Sequence, residues 1–135
     1  MKNIRKHDYQ NDSYCVWLRP GAGTILSLLS KFNNVHLLTR STQDYVDDLM
    51  TGFGIESHFK IKKYRESCGE CKDLKTIVDM DRSIHIDRSI LIDDLKSNNC
   101  VGQNFYHIPR YTMYVKHDYE MVKLFLYILW INLMN

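Results

Sequence analysis

Residues 89–98, SILIDDLKSN, lead from a strand-like run, Ser89 to Ile92, straight into two adjacent carboxylates, Asp93 and Asp94. A short apolar run bounded by polar residues reads as a strand crossing a core. Acids at the end of such a strand are costly unless a positive group and hydrogen-bond donors meet them. The stretch therefore predicts a buried strand with a positive partner at its carboxyl end.

The flanking sequence supplies the rest of the sheet. Tyr14 to Leu18 (YCVWL) is rich in strand formers and is stopped by Arg19-Pro20-Gly21. From Thr24 to Phe32, Ile25, Leu28, Leu29 and Phe32 recur with the period of an amphipathic helix, and Asn33-Asn34 breaks it. Val35 to Leu38 is a short apolar strand ending at Thr39-Arg40-Ser41. Thr42 to Met50 resumes a helical pattern closed by Gly52 and Gly54. His58 to Tyr64 alternates weakly, as a strand would, and Lys72 to Val78 reads as a short helix with Leu74, Ile77 and Val78 on one side. After the acidic stretch, Phe105 to Ile108 is a strand ended by Pro109, and Asp118 caps a final helix. Strands alternating with helices predict an α/β fold with a largely parallel sheet.

Composition limits the functional classes. A chain of 135 residues builds one core, and 44% hydrophobic with 25% charged residues is the balance of an ordinary globular domain. A formal charge of +2 spread along the chain argues against nucleic acid as the direct partner. The first twenty residues lack the apolar core of a signal peptide, and the apolar run Val122 to Met134 is shorter than a bilayer span. That run is apolar almost all round, as in a helix that is buried or covers a partner. Four cysteines without a secretory signal predict free thiols and an intracellular protein, cytoplasmic or nuclear. Cys68 and Cys71 form a lone CxxC, which reads as two loop thiols before it reads as zinc. A six-residue unit occurs twice in succession, Asp81-Arg-Ser-Ile-His-Ile and Asp87-Arg-Ser-Ile-Leu-Ile, and reads as a small duplication ahead of the acidic strand.

Ligands of open parallel sheets bind beyond the carboxyl ends of the strands. Those positions hold Thr39 and Ser41, Lys72, and Asp93 with Asp94. A hydroxyl, an ammonium and carboxylates suit a phosphate and a divalent cation. Taken singly, each also has a plainer reading: Thr39 as a helix cap, Lys72 as a surface charge, Asp93-Asp94 as a solvated turn.

The segments WLRPGAGTIL (17–26), VHLLTRSTQDYV (35–46), YRESC (64–68), KDL (72–74) and ILIDDLKSN (90–98) occur in an order that resembles one family. It is that of the haloacid dehalogenase (HAD) phosphatases acting on the RNA polymerase II C-terminal domain, also called NLI-interacting-factor-like domains. The resemblance implies a polar lead-in at 1–13 and a HAD-like, Rossmann-like three-layer domain at 14–135. It also implies a Mg²⁺-dependent phosphoserine/phosphothreonine protein phosphatase, with a phosphoprotein as partner and no membrane span. Carried over position by position, Thr39 and Lys72 match the phosphate-binding threonine and lysine, Asp93 the acid that orients the lysine, and Asp94 the metal ligand.

One departure is large. The family's nucleophile and general acid lie in an Asp-x-Asp-x-Thr motif ending a strand before the RPG segment, and residues 1–18 contain no such motif. Asp8 and Asp12 are four apart and follow no apolar run. The nearest match, Asp79-Met80-Asp81-Arg82-Ser83, stands between KDL and IDD, out of family order. The first catalytic strand is thus expected to be missing, with Mg²⁺ bound only if the absent aspartates are supplied. Two readings follow: a phosphatase completed by a segment outside this sequence, or a non-catalytic binding or scaffolding module derived from the fold. An unpaired strand edge left by the missing strand predicts self-association.

Overall fold

The computed structural model describes residues 9–10, 13, 15–112 and 117–134. It is an α/β arrangement of short parallel strand pairs and helices. The strands pair two by two. β1 (Tyr9–Gln10) and β2 (Cys15–Val16) form an antiparallel hairpin. β3 (Leu37–Leu38) pairs in parallel with β4 (Lys62–Lys63), and β5 (Ile90–Asp93) in parallel with β6 (Asn104–His107). One further parallel bridge joins Lys72 to Asn99.

α1 (Ala22–Phe32) begins two residues before the helix expected from periodicity. Gly21 precedes it at φ 82, a left-handed conformation that side chains disfavour, so the turn after Pro20 depends on glycine. Ala22, Ile25 and Leu29 form its buried face, whereas Phe32, expected in the stripe, points to solvent at 72% exposure. α2 (Gln43–Phe53) runs through Gly52 and stops at Gly54, whose φ of 70 and N–H bonds to the Met50 and Thr51 carbonyls make it the C-cap. α3 (Lys75–Val78) is the shortened remnant of the helix expected at 72–78. The segment expected as a strand at 58–64 keeps strand pairing only at β4. α4 (Glu120–Met134) is capped as expected: the Asp118 carboxylate accepts the Glu120 N–H at 3.0 Å.

Among the described residues, two apolar clusters hold the chain together. In the larger, Ala22, Ile25 and Leu29 of α1 meet Ile108 and the α4 residues Met121, Leu124 and Ile128, with Ile90 and Tyr106 packed against them. An ion pair between Arg19 and Asp118, 3.0 Å apart and largely shielded, pins the start of α1 to the start of α4. In the smaller, Val46 and Met50 of α2 meet Tyr64, flanked by Leu37, Ile55 and Phe59. The Tyr64 hydroxyl donates to Asp47 at 2.8 Å, and burial first, then that bond, pushes its pKa up to about 12.

The two parallel pairs are not joined to each other by strand pairing among the described residues. Strands of a parallel sheet are ordinarily covered on both faces. Here Ile92, in the most apolar strand, remains 36% exposed, and no described side chain is fully buried. The expectation that 14–18 forms a strand of the main sheet is corrected: Cys15–Val16 pairs with Tyr9–Gln10 instead, because the nearest extended partner is only a few residues away. Tyr14, Asp8 and Asp12 lie outside the described residues.

The duplicated hexapeptide adopts two conformations. In the first copy, the Asp81 carboxylate accepts the Ser83 N–H and hydroxyl in an exposed turn. In the second, Ser89 is followed by β5, and Asn104 of the neighbouring strand donates to the Asp87 and Ser89 carbonyls. Tertiary partners, not local propensity, separate the copies.

Candidate functional site

The carboxyl end of β5 bears out the demand that the sequence makes of it. Asp93 is buried, and the Lys72 ammonium donates to its Oδ2 at 2.6 Å, with side-chain exposures of 13% for the lysine and 5% for the acid. The Leu95 N–H donates to Oδ1 at 2.8 Å, and the Asn98 amide reaches both oxygens at 3.2 and 3.3 Å. Burial alone would raise the Asp93 pKa. The bonds from Lys72, Leu95 and Asn98 outweigh it and hold the carboxyl below its ordinary 3.8.

Lys72 is fixed through its backbone. Its N–H donates to the Asn98 carbonyl at 2.6 Å, and the Gln103 side chain donates to its carbonyl at 2.8 Å while accepting the Leu74 N–H. A disulfide between Cys71 and Cys100 closes the same bridge, one residue before Lys72 and one after Asn99. This corrects the expectation of free thiols for those two cysteines. Spacing alone cannot reveal a pair 29 residues apart, and the parallel bridge brings their Cα atoms to 5.2 Å. The thiols therefore do not indicate an intracellular location. Cys68 is free, and its Sγ lies 3.4 Å from the Thr39 carbonyl.

Thr39 follows β3. Its hydroxyl oxygen accepts the Ser41 N–H at 3.1 Å, a local turn and not a cap on α2, so its own proton is left to donate. The structure gives no direct Thr39–Lys72 contact, but Arg40 links the two strand ends. Its Nε donates to the Asn98 Oδ1 at 2.8 Å, and its other nitrogens donate to the Gly69 and Glu70 carbonyls. Asn98 thus faces Asp93 with its amide nitrogen and Arg40 with its oxygen. Sequence reasoning missed Arg40, Asn98 and Gln103, since single polar residues in turns carry no spacing signal.

Asp94 is exposed, and its carboxylate has no hydrogen-bond partner among the described residues. Its backbone oxygen lies 3.0 Å from His107 Nε2, which makes that nitrogen the donor. Asp93 is committed to Lys72, and among the described residues no three His, Cys, Asp or Glu side chains cluster as a metal site would need. One free carboxylate is a poor match for a cation that wants six oxygen ligands in octahedral order. The described side chains do not fit Mg²⁺ by themselves. Asp79 and Asp81, the out-of-order match, are exposed, with Asp81 spent on Ser83.

The depressed Asp93 pKa has a stability consequence. On acidification the unfolded chain takes up this proton before the folded one does. The contribution is therefore complete above the ordinary value of 3.8 and is lost as pH falls through the lower folded value. His36 acts in the same sense at higher pH. Burial first, then Lys60, lowers its pKa below 6.5, and its Nδ1 accepts the Ile61 N–H. Urea unfolding as a function of pH should show a loss of stability below pH 3.8 that is smaller in Asp93→Asn. Parallel acid limbs in the two proteins would show that the pair does not titrate as described.

No helix among the described residues is long and apolar enough to cross a membrane. None of the curated proteins compared matches the chain. The α/β order of elements agrees with the match of a family model, NLI interacting factor-like phosphatase, over residues 2–133, and the chain belongs to that family.

Proposed function

We propose that this chain keeps the phosphate-binding half of a phosphatase-type site and uses it to bind a phosphorylated protein without hydrolysing it. The observation that carries the reading is the state of Lys72. An ammonium has three N–H donors. Lys72 gives one to Asp93, and among the described residues the other two have no acceptor, although the side chain is nearly buried. A largely desolvated, oriented cation with spare donors is suited to a phosphoryl group. The Thr39 hydroxyl, with its proton unspent, is a second donor on the neighbouring strand end. Against these stands the lack of an Asp-x-Asp-x-Thr nucleophile motif in residues 1–18. Without a nucleophile no phospho-aspartyl intermediate forms, and the remaining groups do not replace it.

A phosphoserine peptide titrated into the full chain and followed by calorimetry tests this. Lys72→Met is expected to weaken binding about tenfold or more, the scale of one or two charge-assisted bonds. Equal affinity for the phosphorylated and unphosphorylated peptide would refute the proposal.

A second reading has its own support. The pairs β3–β4 and β5–β6 have no strand between them among the described residues. A strand supplied by a segment outside this sequence, or by another chain, could pair there and bring the missing carboxylates. In that case the same Lys72–Asp93 pair would serve a working phosphatase, with Asp94 offered to the metal.

A further inference from the structure

α4 has two apolar faces, and the structure uses one. Met121, Leu124 and Ile128 are buried against α1. On the opposite side Val122, Leu126, Leu129, Trp130 and Leu133 form a continuous stripe, from 39% exposed at Leu129 to 80% at Leu133. Solvated helix faces are ordinarily polar, and a helix apolar on all sides is a covered helix.

We propose that this outer face is a self-association surface on which a second copy of the chain packs its own α4 antiparallel. Three features select that occupant. Val122, Leu126, Leu129 and Leu133 are spaced four, three and four residues apart, the seam that fills with knobs from another helix of the same pattern. At ordinary residue areas the stripe exposes about 550 Å² per copy, so a two-fold pair removes at most about 1,100 Å² from water, close to the ~1,000 Å² floor for a specific interface. The flanks are self-complementary. Lys123 and Trp130 border the stripe on the same side, seven residues apart, so an antiparallel pair sets the Lys123 ammonium of each copy beside the partner's Trp130 ring. The same ammonium approaches the negative end of the partner's α4, whose last turn has no basic residue of its own. A lipid surface is the poorer fit, since interfacial helices line their polar face with lysine and arginine. α4 contains one lysine, ion-paired with Glu120 at 3.3 Å.

Sedimentation equilibrium of the full chain over 1 to 100 µM tests the proposal. Wild type is expected to show a dimer of the 16.1 kDa chain. Leu126→Glu/Leu129→Glu should be monomeric throughout with an unchanged far-ultraviolet spectrum, because both side chains are exposed. Lys123→Glu should weaken the dimer several-fold. A monomeric wild type, with or without binding to anionic vesicles, overturns the proposal. So does a dimer that survives the double substitution, which would place the contact elsewhere, as at the edges of β3 and β5.

Discussion

Asp93→Ala is expected to destabilise the protein by ~3–5 kcal/mol, the cost of leaving a buried charge without its partner. Lys72 and Asp93 are 2.6 Å apart with side-chain exposures of 13% and 5%, so solvent screening is slight, and removing the acid also strands the Leu95 N–H and the Asn98 amide. For a domain of this size the loss lowers Tm on the order of 10–20 °C. Total stability in such domains is about 5–15 kcal/mol, so the loss removes a large share of it. The double replacement Lys72→Met/Asp93→Leu should recover part of the loss, because an apolar pair of similar volume has no charge to desolvate, while the Leu95 N–H and the Asn98 amide stay without their acceptor. That contrast separates stability from function: the double variant folds but does not bind a phosphorylated peptide. Thermal melts of the three proteins give the answer, and an Asp93→Ala variant within 1 °C of wild type would mean that the pair is not buried as described.

Reduction of the Cys71–Cys100 disulfide has the next largest expected effect. The bond closes a loop of 29 residues. Chain entropy then assigns it about 3.6 kcal/mol at 25 °C. Its position adds a local effect, since it clamps the bridge that holds the Lys72 backbone against Asn99. Cys71→Ser/Cys100→Ser is therefore expected to lower the urea midpoint and to reduce phosphopeptide affinity together. Identical midpoints with and without a reductant would remove the disulfide from the account.

The acidic stretch was the most legible part of the chain, because adjacent carboxylates after an apolar run demand a counter-charge and the structure supplies Lys72. The caps were legible for the same kind of reason: Gly54 and Asp118 do jobs that few residues can do. That Ile90–Asp93 and Asn104–His107 are strands follows from their sequence, while their parallel pairing is a finding of the structure. What could not be read was long-range. Asn98 joining Asp93 to Arg40, and Cys71 finding Cys100, depend on where turns bring distant backbone, and no local pattern encodes that. Phe32 shows the opposite error, in which a perfect helical period extends one turn beyond the core available to receive it. The hairpin at β1 and β2 shows local pairing taking a segment that its composition assigned to the main sheet.

Phosphoryl binding without hydrolysis, as proposed for this chain, can be measured directly. The direct measurement is phosphate release from a phosphoserine peptide by the purified 135-residue chain in the presence of Mg²⁺. No release above a no-protein control is expected, with Lys72→Met indistinguishable from wild type. Mg²⁺-dependent release that disappears in Asp79→Asn would contradict the account and move the nucleophile to the exposed turn after α3.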